Sequence, residues 1–448
     1  MAFSSQSSPS SSLSPKLVTT VAVIAAMLVA STLSVPGALG DETATALSTT
    51  QKSPTPVATV PKGATTPSAT PQKAATPVAA LVPSPRAPKC DYTAGRWILG
   101  AGYPHYSGNP AATNFCPFIR ASYNCQRNGR PDSLYQQLQW KPRACDMEYF
   151  NADGFAKMMK NKRMLLVGDS IMGNLYESLL CSIHTGGHQA ERGHKPLSSV
   201  KAMHFPSFNM SLAYFFSPYL TDAFKQQANG STRGGSHGYV VNVTSVHPTV
   251  VRLLPAYDVV VFSSGTWWLQ NVPGRKRPNT FMVNGVVQQS ITNIEAFKMG
   301  LKALAYHVKL TNYSGIPFFL TFNPKHGPVL LTARRDGACG AVQPIGPKGA
   351  NKWYQSIQTA EEYFKMQRRV LTSSSNMRVV KVTRMSEMRP EGHLGMWWLK
   401  RDKANLTQVL ATPDLGDCTH WCLPGVPDAW LDVIYAYMRL EPVLNPGR

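Results

Sequence analysis

Residues 163–181 read Arg163-Met-Leu-Leu-Val-Gly-Asp-Ser170 and then IMGNLYESLLC, and this stretch decides the fold. Met164 to Val167 is a short apolar run of the kind a strand buried on both faces requires. Gly168 permits a tight turn after it. From Ile171 the apolar residues return at helical spacing, as Ile171, Leu175 and Leu179 and, one face over, Met172, Tyr176 and Leu180. Ser170 thus stands where a parallel strand gives way to a helix, the edge at which open α/β sheets hold their ligands. The N–H groups and positive dipole end of that helix suit an oxyanion. Position alone leaves two readings open, a nucleophilic serine and an N-cap serine.

A second stretch bears on that choice: Asp417-Cys-Thr-His420-Trp-Cys-Leu-Pro-Gly-Val-Pro-Asp428-Ala-Trp430. A serine hydroxyl is a weak nucleophile at neutral pH until a base takes its proton. That base is commonly a histidine oriented by a carboxylate. Asp417 and His420 are three apart, so one turn can present both to one serine. Cys418 and Cys422 would staple that turn, and Pro424-Gly425 would end it. The bland alternative is a disulfide-bonded loop with an incidental histidine. Because 250 residues separate Ser170 from His420, only the fold can join them.

The chain has 448 residues, and 43% hydrophobic with 10% aromatic content supplies a core, which excludes full disorder. With 45 Lys+Arg against 24 Asp+Glu, the formal charge of +21 suggests an anionic partner without naming it. Only residues 17–35 (LVTTVAVIAAMLVASTLSV) are apolar for long enough to span a bilayer, which excludes a polytopic membrane protein. A secretory h-region is usually shorter, so the span favours an uncleaved signal anchor, with cleavage after Ala38-Leu39-Gly40 as the alternative. Lys16 precedes it and Asp41 and Glu42 follow, which directs the bulk of the chain out of the cytosol. Residues 36–89 are dominated by Thr, Pro, Ala and Ser and read as an extended stem. The expected organisation is a cytosolic tail (1–16), a signal anchor (17–35), the stem (36–89), a Cys-rich region (90–145) and a catalytic domain (146–440).

All eight cysteines, Cys90, Cys116, Cys125, Cys145, Cys181, Cys339, Cys418 and Cys422, lie beyond the stem, and disulfides are the better reading in a lumenal compartment. Their pairing is open among 105 possibilities. Glycosylation sequons at Asn209, Asn229, Asn242, Asn312 and Asn405 agree with that address. A lumenal protein does not meet nucleic acid, and the aromatic–basic interleaving of RNA-recognition modules is missing. No paired CxxC elements, HExxH, P-loop or dinucleotide fingerprint occurs, so neither a metal nor a bound cofactor is expected.

The GDS turn with its ESLLC helix, together with DCTHWCLPGVPDAW, resembles the plant trichome birefringence-like family, Golgi polysaccharide O-acetyltransferases of the SGNH/GDSL-like type. CDYTAGRW (90–97), NCQRNGRPDSLYQQLQWKPRAC (124–145), VVVFSSGTWW (259–268) and VTRMSEMRPEGHLG (382–395) are similar to further blocks of that family in the same order. The resemblance implies an α/β fold, a central parallel sheet flanked by helices, with a disulfide-tied N-terminal extension. It implies Ser170 as nucleophile, His420 as general base and Asp417 as its orienter. Oxyanion-hole candidates are the N–H groups of Ser170 and Gly265 and the side chain of Asn174. Asp169, Trp267, Trp268, His326, His393 and Trp421 are candidates for the substrate cleft, although paired tryptophans are commonly core, and His326 and His393 are more ordinarily structural histidines.

The implied reaction is a double displacement that carries an acetyl group through Ser170 to a hydroxyl of a cell-wall polysaccharide. The co-substrate would be acetyl-CoA or another acetyl carrier, supplied directly or by a membrane protein. The GRPD and RPEGH elements look closest to members associated with xyloglucan; xylan, mannan and pectin stay open. The implied location is the Golgi membrane, type II, with the catalytic domain lumenal. Departures from the family pattern are Gly173-Asn174-Leu175 in place of an Arg-Asn-Gln run, Ser263-Ser264-Gly265-Thr266 in place of Asn-Thr-Gly-His, and Leu320 where an arginine is common. Two other readings remain: a carbohydrate acetylesterase with the same residues, and a non-catalytic wall-polysaccharide binder.

Overall fold

A computed structural model describes residues 90–225, 238–269, 279–326, 339, 344, 354–398 and 416–445. The expected anchor and stem and the sequons at Asn229 and Asn405 lie outside the described residues. Among the described residues, no helix is long and apolar enough to cross a membrane.

In chain order the strands are β1 (Gly95–Leu99), β2 (Leu138–Pro142), β3 (Arg163–Gly168), β4 (Glu191–Arg192), β5 (Val200–Phe205), β6 (Met210–Phe216), β7 (Thr221–Lys225), β8 (Tyr239–Val246), β9 (Val259–Ser263), β10 (Thr280–Val283), β11 (Val286–Gln288), β12 (Ile316–Leu320), β13 (Arg378–Val380), β14 (His393–Gly395) and β15 (Asp417–Trp421). The helices are α1 (Ala152–Met158), α2 (Ser170–Thr185), α3 (Pro248–Leu253), α4 (Asn293–Leu310), α5 (Tyr354–Ser374), α6 (Thr383–Glu387) and α7 (Val426–Met438).

The central sheet has the order β13-β12-β9-β3-β6-β5-β4. Its first five strands are parallel, as the apolar runs predict. The β5 and β4 edge is antiparallel, so the sheet is mixed. The reason is local: a single 3-10 turn at Pro206–Phe208, closed by Asn209 at φ 46°, joins β5 to β6, and so short a link cannot make a parallel crossover. Alternate residues of β3 serve opposite faces. Met164 and Leu166 pack in a cluster with α2 and α7, while Leu165 and Val167 pack in another with α4 and α5. A smaller sheet, β11-β10-β8-β7, and the pairs β1-β2 and β14-β15 complete the described strands.

All eight cysteines are paired, as Cys90–Cys145, Cys116–Cys181, Cys125–Cys422 and Cys339–Cys418. The expected staple between Cys418 and Cys422 does not form. Residues 417–421 are extended rather than a turn, so those two cysteines reach different partners. The Cys-rich region is closed on itself by Cys90–Cys145 and tied to α2 by Cys116–Cys181. Its Tyr106 hydroxyl donates to Asp428 at 2.7 Å, and its Tyr103 hydroxyl donates to Asp432, both on α7. Of the described sequons, Asn209 and Asn312 are exposed in left-handed turns at φ 46°. Asn242 lies in β8 and accepts from the Thr244 N–H and hydroxyl.

Candidate active site

Ser170 is the first residue of α2, and its N-cap is Asp169, whose Oδ1 accepts from the Ile171 N–H at 3.0 Å. The capping role therefore falls to the aspartate and leaves the serine side chain unencumbered by it. Asp169 is 2% exposed, so it is a buried cap rather than a cleft residue. Burial raises its pKa to about 6 against the pull of the Ile171, Met172 and Thr266 N–H groups and the charge of His420. The bond to Thr266 ties the start of α2 to the segment after β9, where Gly168 and Ser263 are register partners.

His420 and Asp417 lie on β15. His420 Nε2 is 2.6 Å from Ser170 Oγ, and His420 Nδ1 is 2.6 Å from Asp417 Oδ2. Asp417 Oδ1 also accepts from the N–H groups of Thr419 and His420 at 2.9 and 3.0 Å. Burial alone would raise the Asp417 pKa. The side-chain bond and charge of His420 and those two backbone N–H groups outweigh it and hold the carboxyl far below its usual range. An ionised Asp417 fixes the proton of His420 on Nδ1, which turns the acceptor nitrogen Nε2 toward the serine hydroxyl. Ser170, Asp417 and His420 are each only half-buried, so the group is open to a ligand.

Several side chains hold β15 in register. Asn174, fully buried on α2, donates from Nδ2 to the Trp421 carbonyl at 3.1 Å and accepts from the Trp421 N–H at 3.3 Å. Its amide clamps the strand that carries His420, which corrects the reading of Asn174 as an oxyanion donor. Trp421 Nε1 donates to Asn323 Oδ1 at 2.9 Å, and the main-chain N–H of His326 donates to the Cys418 carbonyl at 3.1 Å. Cys339–Cys418 and Cys125–Cys422 anchor the two ends of the strand.

The structure also moves other cleft candidates into the core. Trp421 is 0% exposed and stacks on His393 at 3.7 Å. Trp268 is equally buried, stacks on Phe297 at 4.9 Å, and donates from Nε1 to Ser264 Oγ at 2.9 Å. His326 and His393 are buried against each other. The large rings gain more from core packing here than from exposure to a groove, and the two imidazoles find hydrogen-bond partners inside the core. Trp267 is half-buried, edge-on to Phe216, Tyr219 and Tyr239. At Gly265 a Cβ would stand 2.2 Å from the Phe322 ring, so this backbone turn exists only with glycine.

Three contributors carry no sequence signal of a role in the site. Tyr123, from the Cys-rich region, stacks on His420 at 5.6 Å and donates from its hydroxyl to the Ser170 carbonyl at 3.3 Å. Arg120 lies 4.4 Å over the Tyr123 ring and pairs with Glu177 of α2 at 2.6 Å. A Cβ on Gly173 would meet Arg120 Nη2 at 3.3 Å and Tyr214 Oη at 3.4 Å. The departure at Gly173 is thus matched by Arg120, whose guanidinium fills the adjoining space. Asn323 joins β15 from the segment after β12.

Residues 147–437 match the model of PC-Esterase, described as a GDSL/SGNH-like acyl-esterase family found in Pmr5 and Cas1p, and residues 88–146 match the PMR5 N-terminal domain. The chain belongs to the PC-esterase family. Within it the chain is of the trichome birefringence-like group. It is 29% identical to "Protein trichome birefringence-like 31" of Arabidopsis thaliana, over 78% of this chain and 82% of that one. It is 31% identical to "Probable xylan O-acetyltransferase 11" of Oryza sativa subsp. japonica, over 77% of this chain and 86% of the other. In this PC-esterase protein the boundary between the two matches falls between Asp146 and Met147, so Tyr123 and Arg120 are contributions of the N-terminal domain to a site otherwise built by the larger one.

Proposed function

We propose that this PC-esterase protein is a cell-wall polysaccharide O-acetyltransferase that works through an acetyl-Ser170 intermediate. The observation that carries the reading is the contact series Ser170 Oγ to His420 Nε2 to Asp417, at 2.6 Å for each link. His420 Nε2 takes the hydroxyl proton while Ser170 Oγ attacks the acetyl carbonyl of the donor, acetyl-CoA or another acetyl carrier. Collapse of the tetrahedral intermediate expels the donor's leaving group, which takes the proton back from His420. A sugar hydroxyl then attacks the acetyl ester with the same imidazole as base, and Ser170 is regenerated. The Ser170 N–H, with no carbonyl four residues earlier in its helix, and the Gly265 N–H are the donors for the oxyanions, each worth about 3 kcal/mol in such sites. Asn174 is left out of that set.

The relatives named for xylan make a hemicellulose the favoured acceptor, and xyloglucan is the more specific expectation from the GRPD and RPEGH elements. The chain would act as a type II Golgi protein facing the lumen. A carbohydrate acetylesterase is the second reading, favoured by the acyl-esterase description of the matched family; water replaces the sugar hydroxyl in its second step. Incubation of the full chain with an acetyl donor and hemicellulose oligosaccharides, read by mass spectrometry, separates gain from loss of acetyl. Ser170→Ala is expected to abolish either change while leaving the unfolding transition in place. Full activity in that variant refutes the proposal.

A further inference from the structure

His326, His393 and the main chain of His420 form a chain of hydrogen bonds whose proton count does not close with neutral rings. His326 Nε2 is 3.0 Å from the Glu387 carbonyl, His326 Nδ1 is 2.7 Å from His393 Nε2, and His393 Nδ1 is 2.9 Å from the His420 carbonyl. A carbonyl only accepts, so both outer nitrogens must carry protons. In a neutral imidazole the other nitrogen is then a bare acceptor. Two bare acceptors would face each other across 2.7 Å, which is hydrogen-bonding distance and repulsive without a proton between them. The rings are 0% and 2% exposed, so water does not relieve the conflict.

We propose that His326 and His393 share one added proton, and that this imidazole–imidazolium pair positions His420 through its main-chain carbonyl. The inference rests on the assignment of His420 as general base. Burial pushes both rings toward neutrality, and on His393 the charge of His326 does too; the bonds to the Glu387 and His420 carbonyls and, on His393, the charge of Asp417 favour the proton. The charges around the pair are few. On β15 lie Asp417, which favours the cation, and His420, which opposes it when protonated. Below His393, Arg130 donates to the carbonyls of His393 and Glu391 and is itself paired with Asp132, while Arg389 is paired with Glu391. On α6 the Glu387 carboxyl has its pKa raised to about 7 by burial, so its charge is weakest in acid. Loss of the shared proton with rising pH leaves two lone pairs opposed and frees β14 and β15 to separate beneath His420.

Activity would then fall on the alkaline side because of the pair. His326→Asn places an amide N–H where Nδ1 stood, so it can donate to a neutral His393 with no added proton. Its kcat is expected near wild type but without the alkaline fall. His326→Ala is expected to lower kcat about tenfold, with KM unchanged, as a loosened base costs rate rather than binding. An alkaline limb that persists in His326→Asn overturns the proposal. The second test is independent of turnover and of how His326→Ala folds. In the full chain carrying 15N-histidine, His326 Nδ1 and His393 Nε2 should shift together in one titration, with a far-downfield exchangeable proton absent from His326→Asn. Two neutral rings throughout the range where the protein is active overturn it. Absence of acetyl transfer with every donor and acceptor would instead remove the general-base assignment, while the nitrogen resonances still decide the pair.

Discussion

Asn174→Ala separates a clamp from an oxyanion donor. The amide is fully buried and exchanges two hydrogen bonds with the backbone of Trp421, at 3.1 and 3.3 Å. Its removal leaves a carbonyl and an N–H unpaired in a dry interior, each costing about 1–3 kcal/mol. The longer of the two bonds belongs at the low end, so a total near 3 kcal/mol is expected, or about 4 °C in midpoint for a folded body of this size. Because Trp421 follows His420 directly, kcat should fall together with stability, and the fall should shrink on cooling as the strand settles. Denaturant unfolding followed by tryptophan fluorescence, with disulfides kept oxidised, gives the first quantity and acetyl transfer gives the second. An unchanged unfolding midpoint with a hundredfold loss of kcat is the signature of an oxyanion donor, and it would refute the clamp.

Two further outcomes follow from the tertiary ties. Replacing Cys125 and Cys422 together with serine opens a loop of sequence separation 297, shortened in effect by Cys116–Cys181 and Cys339–Cys418. The chain-entropy treatment puts the loss at about 5 kcal/mol, measurable by denaturant unfolding, and a change under about 1 kcal/mol would contradict the role of this tie. Asp432, fully buried on α7, has its pKa raised to about 7, chiefly by burial. The folded chain therefore keeps a proton that the unfolded chain releases, and the stability this gives is lost as pH rises through 7. Relative to Asp432→Asn, the wild type should lose about 3 kcal/mol between pH 4.5 and pH 8, and parallel stability curves for the two would exclude it.

The parts of this molecule legible in the sequence are those fixed by neighbours along the chain. Met164–Val167 reads as a buried strand because four apolar residues in succession have no polar face, and α2 reads as a helix because its apolar residues keep a 3.6-residue period. That periodicity gives no hint that Asn174, Glu177 and Ser178 are buried too, because α2 is covered by the Cys-rich region and α7 as well as by the sheet. Asp417 and His420 are recognisable by type and spacing. Their strand geometry is not, since β15 is set by pairing with β14 and by disulfides to Cys125 and Cys339. Local spacing suggested Cys418 with Cys422, but an extended segment turns their side chains toward separate partners. Tyr123 and Arg120 carry no mark at all, because a stacked ring and a filled gap are properties of packing between distant segments.

The order of the parts along the polypeptide has a consequence for its biosynthesis. The hydroxyl at 170 is made early, whereas the imidazole at 420 and the helix that shields α2 are among the last pieces to emerge from the ribosome. Any product ending before that point, from a premature stop codon or an abandoned translation, has an uncovered apolar helix and a serine without its base.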